Sequence, residues 1–281
     1  MERSGILGIG VFTPSVTGRE WGKTGVLCRR GCRRPVLRLG VAIRIDGEDG
    51  YPVASVFPGT EATLVYTFRG TPHGEEFTLP AIQAIFWDVG GVLLSNAWDH
   101  SQRSAALEHF HLDEEEFHDR HEMVVSSFER GKITLEEYLD RTVFYRPRPF
   151  SREAFKEFMF SLSQPIPEVL ALAQSLTQSG RYFMGTINNE SRELNLYRIE
   201  KCNLRRIFRL FVSSCFVGLR KPERDIYRLA LETTQMPAQE CCFIDDRALN
   251  LECAAKLGMQ TIEMQTLEQL RTDLEKLGVK A

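Results

Sequence analysis

Short apolar runs alternate with longer amphipathic segments from residue 81 to the end of the chain. The apolar runs are AIQAIFWD, RYFMGTI, RLFVSS, CCFID and MQTIEM, and each predicts a buried strand. Most are separated by segments of about 10–15 residues whose apolar side chains recur three or four positions apart, which predicts helices. Strands that alternate with such helices favour a parallel sheet with right-handed crossovers. We therefore predict a doubly wound α/β fold.

One segment departs from this alternation. Residues 101–163, between the first and second predicted strands, show the pattern of several consecutive helices, with breaks at Gly131, Pro147 and Pro149. A simple crossover does not need several helices, so we predict an inserted α-helical cap at about residues 97–164. Near residue 222 the sequence PERDIYRLALETT predicts a further helix with Pro222 in its first turn.

Residues 1–80 have a composition unlike that of the rest. They hold half of the 12 prolines and more than half of the 21 glycines, and their 10 Lys and Arg against 8 Asp and Glu give a net charge of +2. The other 201 residues carry 25 against 30, a net charge of −5. We therefore divide the chain into a Gly/Pro/Arg-rich extension at 1–80, either disordered or a small β module, and a body at 81–281.

Composition excludes several classes of protein. With 43% hydrophobic and 26% charged residues, the chain is neither disordered nor collagen-like. A net charge of −3 gives no sign of general nucleic-acid binding, and we interpret the five arginines between residues 29 and 38 as a solvated stretch. No segment reaches the ~18–20 apolar residues of a membrane helix, and no secretory signal is apparent at the N-terminus.

The seven cysteines predict reduced thiols and a cytoplasmic location. Five of them lie in apolar or helical segments, namely Cys202, Cys215, Cys241, Cys242 and Cys253. The other two, Cys28 and Cys32, have three residues between them, but no second Cys or His pair follows at the spacing of a zinc finger. We interpret them as incidental thiols.

Polar side chains follow four of the predicted strands. They are Asp88, Asn188, Asn189, Lys221, Asp245 and Asp246. Because the carboxyl ends of parallel strands lie along one edge of a sheet, these side chains are expected to converge there. Taken singly, each has an ordinary structural explanation as a turn former, a helix cap or a solvated residue. Their order, each after a strand, favours a common site.

The residue types at this edge suggest metal-assisted phosphoryl chemistry. Three carboxylates and a lysine suit a hard cation such as Mg2+. An aspartate can also attack phosphorus, with the metal and the lysine offsetting charge on the transferred group. The paired glycines after Asp88, Gly90 and Gly91, would let the backbone approach a phosphate and offer N–H donors.

Four sequence segments, in this order, resemble the motifs of the haloacid dehalogenase superfamily. They are FWDVGGVLL, TINNES, GLRKPERDIY and FIDDRALNLECAAKLGM, and the resemblance covers about residues 82–278. The helical segment at about 97–164 is similar to the C1-type cap of the subgroup that includes glucose-1-phosphate phosphatases and the phosphatase half of a mammalian epoxide hydrolase. The resemblance implies a Rossmann-like hydrolase core with a helical cap.

The resemblance also implies a role for each motif residue. Asp88 would be the nucleophile and Lys221 the charge-stabilising lysine. The phosphate would be bound by Gly90, Gly91, Asn188 and Asn189. Mg2+ would be held by Asp88, the carbonyl of Gly90, Asp245 and Asp246.

Two positions depart from the family pattern. Family phosphatases usually carry a second aspartate, a general acid, where this chain has Gly90, and loss of such an acid typically costs ~10^2–10^4 in rate. The glucose-1-phosphate phosphatase-like subgroup resembles this chain in having glycine there, and Asp99, His100 or His109 could substitute. Asn188 stands where the family usually has Ser or Thr, and its amide can still donate to a phosphate oxygen.

The histidines of the predicted cap leave a metal site open as a second possibility. The pair His109 and His111, or the pair His118 and His121, could bind a metal, but both pairs lie among acidic residues. We interpret them as solvated surface residues.

The favoured function is a Mg2+-dependent phosphatase acting on a small phosphorylated metabolite, with a sugar phosphate as one candidate. A dehalogenase would use the same aspartate against carbon, but it needs no metal and therefore no pair such as Asp245 and Asp246. A phosphomutase would rely on the acid that is absent at Gly90. A catalytically weakened family member that binds a phosphorylated ligand or a partner protein is the non-enzymatic alternative. The sequence does not predict an oligomeric state.

Overall fold

The computed structural model describes residues 81–96 and 98–280. The extension predicted at 1–80, with its arginine-rich stretch and its two cysteines, lies outside the described residues. The five described cysteines are all free thiols. No helix in the described part of the chain is both long enough and apolar enough to cross a membrane.

The described residues contain a five-stranded parallel sheet in the order β3-β2-β1-β4-β5. The strands are β1 Ala84–Trp87, β2 Phe183–Asn188, β3 Leu210–Ser213, β4 Cys241–Asp245 and β5 Gln260–Glu263. Strand β1 lies at the centre, and Trp87 at its end pairs with Thr186 of β2 and Ile244 of β4. The predicted doubly wound parallel sheet is confirmed, and the point where the strand order reverses lies at β1.

Ten α-helices surround this sheet in the described residues. Five follow β1 before β2 begins, and the first four of them are α1 His100–His109, α2 Glu114–Glu129, α3 Leu135–Thr142 and α4 Arg152–Ser161. The other six are α5 Pro167–Gln178, α6 Arg192–Lys201, α7 Ser214–Val217, α8 Arg224–Thr234, α9 Ala248–Ala255 and α10 Leu267–Lys276. Two short 3-10 helices cover Leu204–Arg206 and Ala238–Glu240. We refer to α1–α4 together as the insertion.

The prediction for the start of α8 was wrong by two residues. The helix begins at Arg224 with Glu223 as its N-cap, so Pro222 precedes the helix instead of lying in its first turn. The backbone before it is held in a turn, because the N–H of Lys221 donates to the Asn189 side chain at 2.8 Å. The four-residue helix α7 was not predicted, since it is too short to show a hydrophobic period.

Each helix of the insertion begins at a residue whose side chain caps it. Asp113 accepts a hydrogen bond from the backbone of Glu116, and Thr134 forms a reciprocal capping box with Glu137. Asp99 and Ser151 cap α1 and α4 in the same way. Such caps satisfy backbone donors that a helix leaves free at its start, which explains why the chain folds into four short helices here.

Three apolar cores hold the described residues together. Ile85 and Trp87 of β1 belong to the core on one face of the sheet, and Ala84 and Phe86 to the core on the other face, as the alternation of a strand requires. The insertion has its own core, rich in aromatic side chains such as Phe155. Helices therefore cover both faces of the sheet, and the insertion is a separately packed layer.

The end of α2 joins the insertion to the segment that follows β3. The carbonyl of Glu129 accepts a hydrogen bond from the Ser214 hydroxyl at 2.6 Å. Next to it, the guanidinium of Arg130 donates to the carbonyl of Gly218 at 2.9 Å. These contacts place the insertion over the carboxyl ends of the strands, where the predicted chemistry was expected.

Candidate active site

Asp88 and Asp245 lie side by side at the carboxyl ends of the two central strands. Asp88 follows β1 directly, its backbone N–H donates to the carbonyl of Ile244, and Asp245 is the last residue of the neighbouring β4. Asp88 is 7% exposed and Asp245 is fully buried. Parallel pairing of β1 with β4 thus brings together two acids that are 157 positions apart in sequence.

Lys221 lies between these two carboxylates. Its ammonium nitrogen is 2.8 Å from Asp88 Oδ1 and 2.6 Å from Asp245 Oδ2, and the residue is 3% exposed. Asn189 holds the lysine backbone on both sides, because its side chain accepts from the Lys221 N–H at 2.8 Å and donates to the Lys221 carbonyl at 2.9 Å. Asn189 therefore positions the lysine through its backbone.

Burial raises the pKa of Asp88 from 3.8 to about 6, against the opposing effect of Lys221 and with a further increase from the charge of Asp245. One oxygen, Oδ1, accepts the backbone N–H of Val89 at 2.8 Å as well as the lysine. The other carboxylate oxygen, Oδ2, has no hydrogen bond among the described residues. A carboxylate whose second oxygen is free in this way can act as a nucleophile or a metal ligand.

The two acids at the end of β4 have different surroundings. Both oxygens of Asp245 accept hydrogen bonds, from Lys221, from the Asn250 amide and from the backbone of Arg247. Asp246 instead has a buried Oδ1 without a hydrogen-bond partner in the described residues. Desolvation, followed by the charge of Asp245, raises the pKa of Asp246.

Asp88, Asp245 and Asp246 fit a divalent cation. One carboxylate oxygen from each lies within 4.8 Å of the others. Asp246 Oδ1 has no hydrogen bond and only a 4.0 Å ion pair with Arg247, and a carboxylate with a raised pKa in such surroundings is stabilised by a hard, oxygen-seeking cation. The chemistry of the donor set therefore agrees with the Mg2+ site expected from the sequence.

Only some of the residues expected to bind phosphate can reach a ligand in the structure. Gly90 and Asn189 line a cavity beside Asp88. The N–H of Gly91 already donates to the carbonyl of Leu94 at 2.8 Å, and Asn188 is buried and does not line this cavity.

The Asn188 side chain is occupied inside the fold. It donates to Asn195 Oδ1 at 3.1 Å and accepts from the hydroxyl of Ser213 at 2.8 Å. Asn188 is the last residue of β2, so its side chain lies between neighbouring elements while the next residue faces the cavity. Of the two asparagines, Asn189 is therefore the one within reach of a ligand.

The cavity measures about 350 Å3 and has two walls. The wall formed by the strand ends includes Asp88, Gly90, Asn189, Glu190, Arg220 and Lys221. The wall formed by the insertion and the loop before it includes Trp98, Asp99, His100, Arg103, His121 and Glu129. This volume is that of a site for a small metabolite.

A buried ion pair lies beside Gly90, the position of the absent second aspartate. A Cβ on Gly90 would lie 3.6 Å from Nη1 of Arg198, and this nitrogen is 2.7 Å from Oε2 of Glu190. Burial raises the pKa of Glu190 from 4.5 to about 7 despite the charge of Arg198. Sequence reasoning missed both residues, although Glu190 lies within the TINNES motif and could have been considered.

Of the three substitutes expected for the missing acid, two lie at the cavity. Asp99 and His100 line it, whereas His109 stacks on Phe158 with ring centroids 4.4 Å apart and does not. Asp99 also caps α1, where it accepts the backbone N–H of Ser101 at 3.1 Å.

The structure groups the other histidines differently from the pairs in the sequence. His118 stacks on His100 with ring centroids 5.1 Å apart, and Glu114 lies 3.5 Å from its Nε2. His121 is 2% exposed and is hydrogen-bonded to Tyr138. The interpretation of His121 as a solvated surface residue was therefore wrong.

Comparisons of sequence agree with the motifs. The model of the family described as haloacid dehalogenase-like hydrolase matches residues 82–258. The chain is 31% identical over 160 residues to the chloroplast protein flavin mononucleotide hydrolase 1 of Arabidopsis thaliana, and the match covers 57% of this chain and 64% of the relative. It is 25% identical over 215 residues to bifunctional epoxide hydrolase 2 of Sus scrofa, and the match covers 70% of this chain and 39% of the relative. The chain thus spans less than two thirds of these relatives.

Comparisons of structure give the same fold. A HAD family enzyme from Bacteroides thetaiotaomicron is 22% identical with a TM-score of 0.60, over 71% of this chain and 100% of that chain. A second structure of that enzyme, in complex with magnesium and inorganic phosphate, is 22% identical with a TM-score of 0.57, over 66% of this chain and 95% of that chain. At these identities the likeness concerns the fold alone.

Proposed function

This chain belongs to the haloacid dehalogenase-like hydrolase family, and we propose that it is a Mg2+-dependent phosphatase that hydrolyses a small phosphomonoester through an aspartyl phosphate. One observation carries the proposal. The ammonium of Lys221 is within 2.8 Å of Asp88 Oδ1 and 2.6 Å of Asp245 Oδ2, at the floor of a cavity that is open to a ligand.

The reaction would proceed in two displacements at phosphorus. A carboxylate oxygen of Asp88 forms a bond to phosphorus, and the bond from phosphorus to the alcohol oxygen breaks, so that the alcohol leaves after taking up a proton. Water then attacks the same phosphorus, the bond to Asp88 breaks, and inorganic phosphate is released. Lys221 lies where its charge offsets the negative charge that develops on the transferred group.

The other residues of the site would bind the metal, position Lys221 and protonate the leaving alcohol. Mg2+ would be held by Asp88, by the Gly90 carbonyl and by Asp246, whose Oδ1 has no hydrogen bond among the described residues. When bound, the metal supplies a Lewis acid for the phosphoryl oxygens. Asp245 holds Lys221 in place and is the third carboxylate, with Asp88 and Asp246, of the group that fits the cation. Asp99 and His100, on the opposite wall, are the candidates for protonating the leaving alcohol.

The relatives support a small phosphate-containing substrate. One is named as a flavin mononucleotide hydrolase, and a structural neighbour was solved with magnesium and inorganic phosphate. The two-walled cavity of about 350 Å3 suits a metabolite of modest size. The free thiols of the described cysteines accord with the cytoplasmic location that we continue to propose.

Hydrolysis of p-nitrophenyl phosphate by the full-length protein, with Mg2+ and with EDTA, tests this proposal. We expect turnover only with Mg2+ and a loss of about 10^3-fold or more in Asp88→Asn. Asp225→Asn is the matched control, because Asp225 is an exposed acid of α8 that does not line the cavity. Absence of turnover in the wild type, or equal turnover in Asp88→Asn, would overturn the proposal.

The glycine at position 90 favours a second candidate, a weakened family member that binds a phosphorylated ligand without hydrolysing it. In that case sugar phosphates would raise the melting temperature while no phosphate was released. Release of halide from a 2-haloacid without Mg2+ would instead identify a dehalogenase, a reaction for which the pair Asp245 and Asp246 has no use.

A further inference from the structure

His121 lies on α2 and faces the cavity from the wall opposite Asp88. The residue is 98% buried, and its Nδ1 lies 2.8 Å from the hydroxyl of Tyr138. No described residue forms a hydrogen bond with the other ring nitrogen, Nε2. This nitrogen is therefore left for a ligand.

The proton on His121 is placed by a chain of two hydrogen bonds. The indole N–H of Trp98, which can only donate, lies 2.9 Å from the hydroxyl of Tyr138. Tyr138 is fully buried, and its hydroxyl lies 2.8 Å from Nδ1 of His121, which can accept the hydroxyl proton. Nδ1 is thus the acceptor nitrogen, and Nε2 carries the proton that is offered to the cavity.

His121 remains neutral in this position. Burial, then the charge of Arg103, lowers its pKa from 6.5 to about 3. A neutral imidazole with the proton on Nε2 donates one hydrogen bond toward the cavity and accepts none there.

Arg103, on α1, is a second donor on the same wall. Its Nη1 donates to the carbonyl of Trp98 at 2.6 Å, while its Nε is buried without a hydrogen-bond partner. No carboxylate in the described part of the chain forms an ion pair with it. Arg103 and His121 therefore both line the cavity, and each has a donor nitrogen without an acceptor in the described residues.

The acids on this wall are already engaged. A carboxylate oxygen of Glu129 lies 2.7 Å from the guanidinium of Arg220, and burial raises the pKa of Glu129. Asp99 accepts two backbone N–H groups at the start of α1. The charge of Glu129 is close enough to Arg103 for the two to interact, but no described carboxylate forms a hydrogen bond or an ion pair with Arg103 or His121. An acceptor brought by a ligand would match these donors.

We propose that Arg103 and His121 form an oxyanion-binding subsite that selects phosphomonoesters whose leaving alcohol carries a carboxylate or a second phosphate. The proposal rests on the phosphatase function proposed above, since it assigns the reacting phosphate to Asp88 and Lys221 and the second oxyanion to the opposite wall. The N–H groups of Arg103 and His121 can bind only a hydrogen-bond acceptor, and the positive charge of the guanidinium favours an acceptor that is negatively charged.

The test compares substrates that differ by one oxyanion, using the full-length protein. One pair is 2-phosphoglycolate and 2-hydroxyethyl phosphate, and the other is 1,3-propanediol bisphosphate and 3-hydroxypropyl phosphate. We expect kcat/KM to be at least about tenfold higher for the anionic member of one pair, as hydrogen bonds to charged groups imply. The pair that shows the preference distinguishes a carboxylate from a phosphate.

Three variants locate the preference. Arg103→Met is expected to bring the ratio of kcat/KM for the anionic substrate to kcat/KM for the neutral substrate close to one. Arg103→Lys is expected to keep part of the preference. His121→Phe keeps a ring but removes the N–H, so the ratio is expected to fall. Arg146→Met is the matched control, because Arg146 belongs to the loop between α3 and α4 and pairs with Glu116 outside the cavity lining. Its ratio should equal that of the wild type.

The outcomes separate this proposal from the phosphatase proposal. Suppose that the wild type hydrolyses p-nitrophenyl phosphate and that kcat/KM is equal for the two members of each pair. The subsite proposal is then overturned and the phosphatase proposal stands. If nothing is hydrolysed, calorimetric titration with the same four compounds decides. Tighter binding of an anionic member that is lost in Arg103→Met supports the subsite, and equal or absent binding overturns it.

Discussion

The carboxylate of Asp246 packs directly on Gly91, since a Cβ on residue 91 would lie 2.6 Å from the carboxyl carbon of Asp246. Gly91 also has a φ of +80°, a conformation that residues with a Cβ rarely adopt. Its neighbour Gly90 does not have a positive φ, and the closest atom to a Cβ there would be Asn96 Oδ1 at 3.2 Å. The two adjacent glycines therefore have different reasons to be glycine.

Gly91→Ala is expected to displace the Asp246 carboxylate and to strain the backbone. We expect a loss of about 1–3 kcal/mol in the free energy of unfolding. We also expect at least a tenfold higher Mg2+ concentration for half-maximal activity, about the cost of disturbing the surroundings of a metal ligand. Urea unfolding and a Mg2+ titration measure both. Gly90→Ala is the matched comparison, with an expected loss below about 1 kcal/mol; equal losses of stability in the two variants would contradict this account.

The convergence of Asp88, Lys221 and Asp245 could be anticipated from the order of the strands. Each follows a short apolar run, and a parallel sheet carries the ends of its strands to one edge. The hydrogen-bond partners of each residue could not be anticipated. Asn188 shows why: whether a residue at the end of a strand faces the cavity or the neighbouring strand depends on where pairing stops, and pairing here includes Asn188 itself.

The wall formed by the insertion was missed for a different reason. Hydrophobic spacing indicates which face of a helix is buried, but not which part of that face meets a cavity. His121 shared the spacing of the buried Phe117, Val124 and Phe128 on α2, and this signal could have marked it as buried. Nothing in the local sequence marks Arg103, because its environment is made by residues of three other elements.

Lys221→Met is expected to destabilise the protein by about 3–5 kcal/mol at pH 8, because it leaves the charges of Asp88 and Asp245 buried without their cation. The deficit should shrink at lower pH. Lys221 lowers the pKa of Asp88, so removing it raises that pKa further above its value in the unfolded chain, and the variant then loses stability as the pH rises.

Urea unfolding at pH 5.5 and pH 8 measures this difference. Lys276→Met is the control for loss of a lysine, since Lys276 is exposed and pairs with Asp273 on the surface of α10. Its effect should remain below about 1 kcal/mol at both values of pH. A deficit in Lys221→Met that grew as the pH fell would contradict the arrangement described for Asp88.

His121 gives the wild type a second dependence on pH, of opposite sign. Its pKa is about 3 in the fold, against about 6.5 when unfolded, so the unfolded chain binds the proton first and stability is lost as the pH falls below 6.5. Between pH 7.5 and pH 5 this loss amounts to at most about 2 kcal/mol.

Replacement of His121 removes that dependence. His121→Gln should be less stable than the wild type at pH 7.5, but its stability should fall less on acidification to pH 5. The control is His111→Asn, because His111 is exposed and has a φ of 52° that asparagine tolerates. Equal slopes of unfolding free energy against pH for the wild type and His121→Gln would show that His121 takes up a proton in the fold.

Gly131 is the position at which substitution should separate the insertion from the strand ends. It follows α2 with a φ of +65°, and a Cβ there would collide with the carbonyl oxygen of Cys215 and lie 3.1 Å from its Cα. Gly180 ends α5 with a nearly equal φ of +68° but has no atom within 4 Å of such a Cβ. The two glycines therefore share the backbone strain and differ in the contact.

Gly131→Ala and Gly180→Ala should each lose about 1 kcal/mol from the positive φ alone. Gly131→Ala should lose a further 1–3 kcal/mol, roughly the cost of an overpacked contact. Because Glu129 and Arg130 beside it hold the insertion to the segment after β3, we also expect a raised KM for the substrate in this variant only. Urea unfolding and steady-state kinetics on the pair measure both effects, and equal KM values would mean that the junction does not shape the cavity.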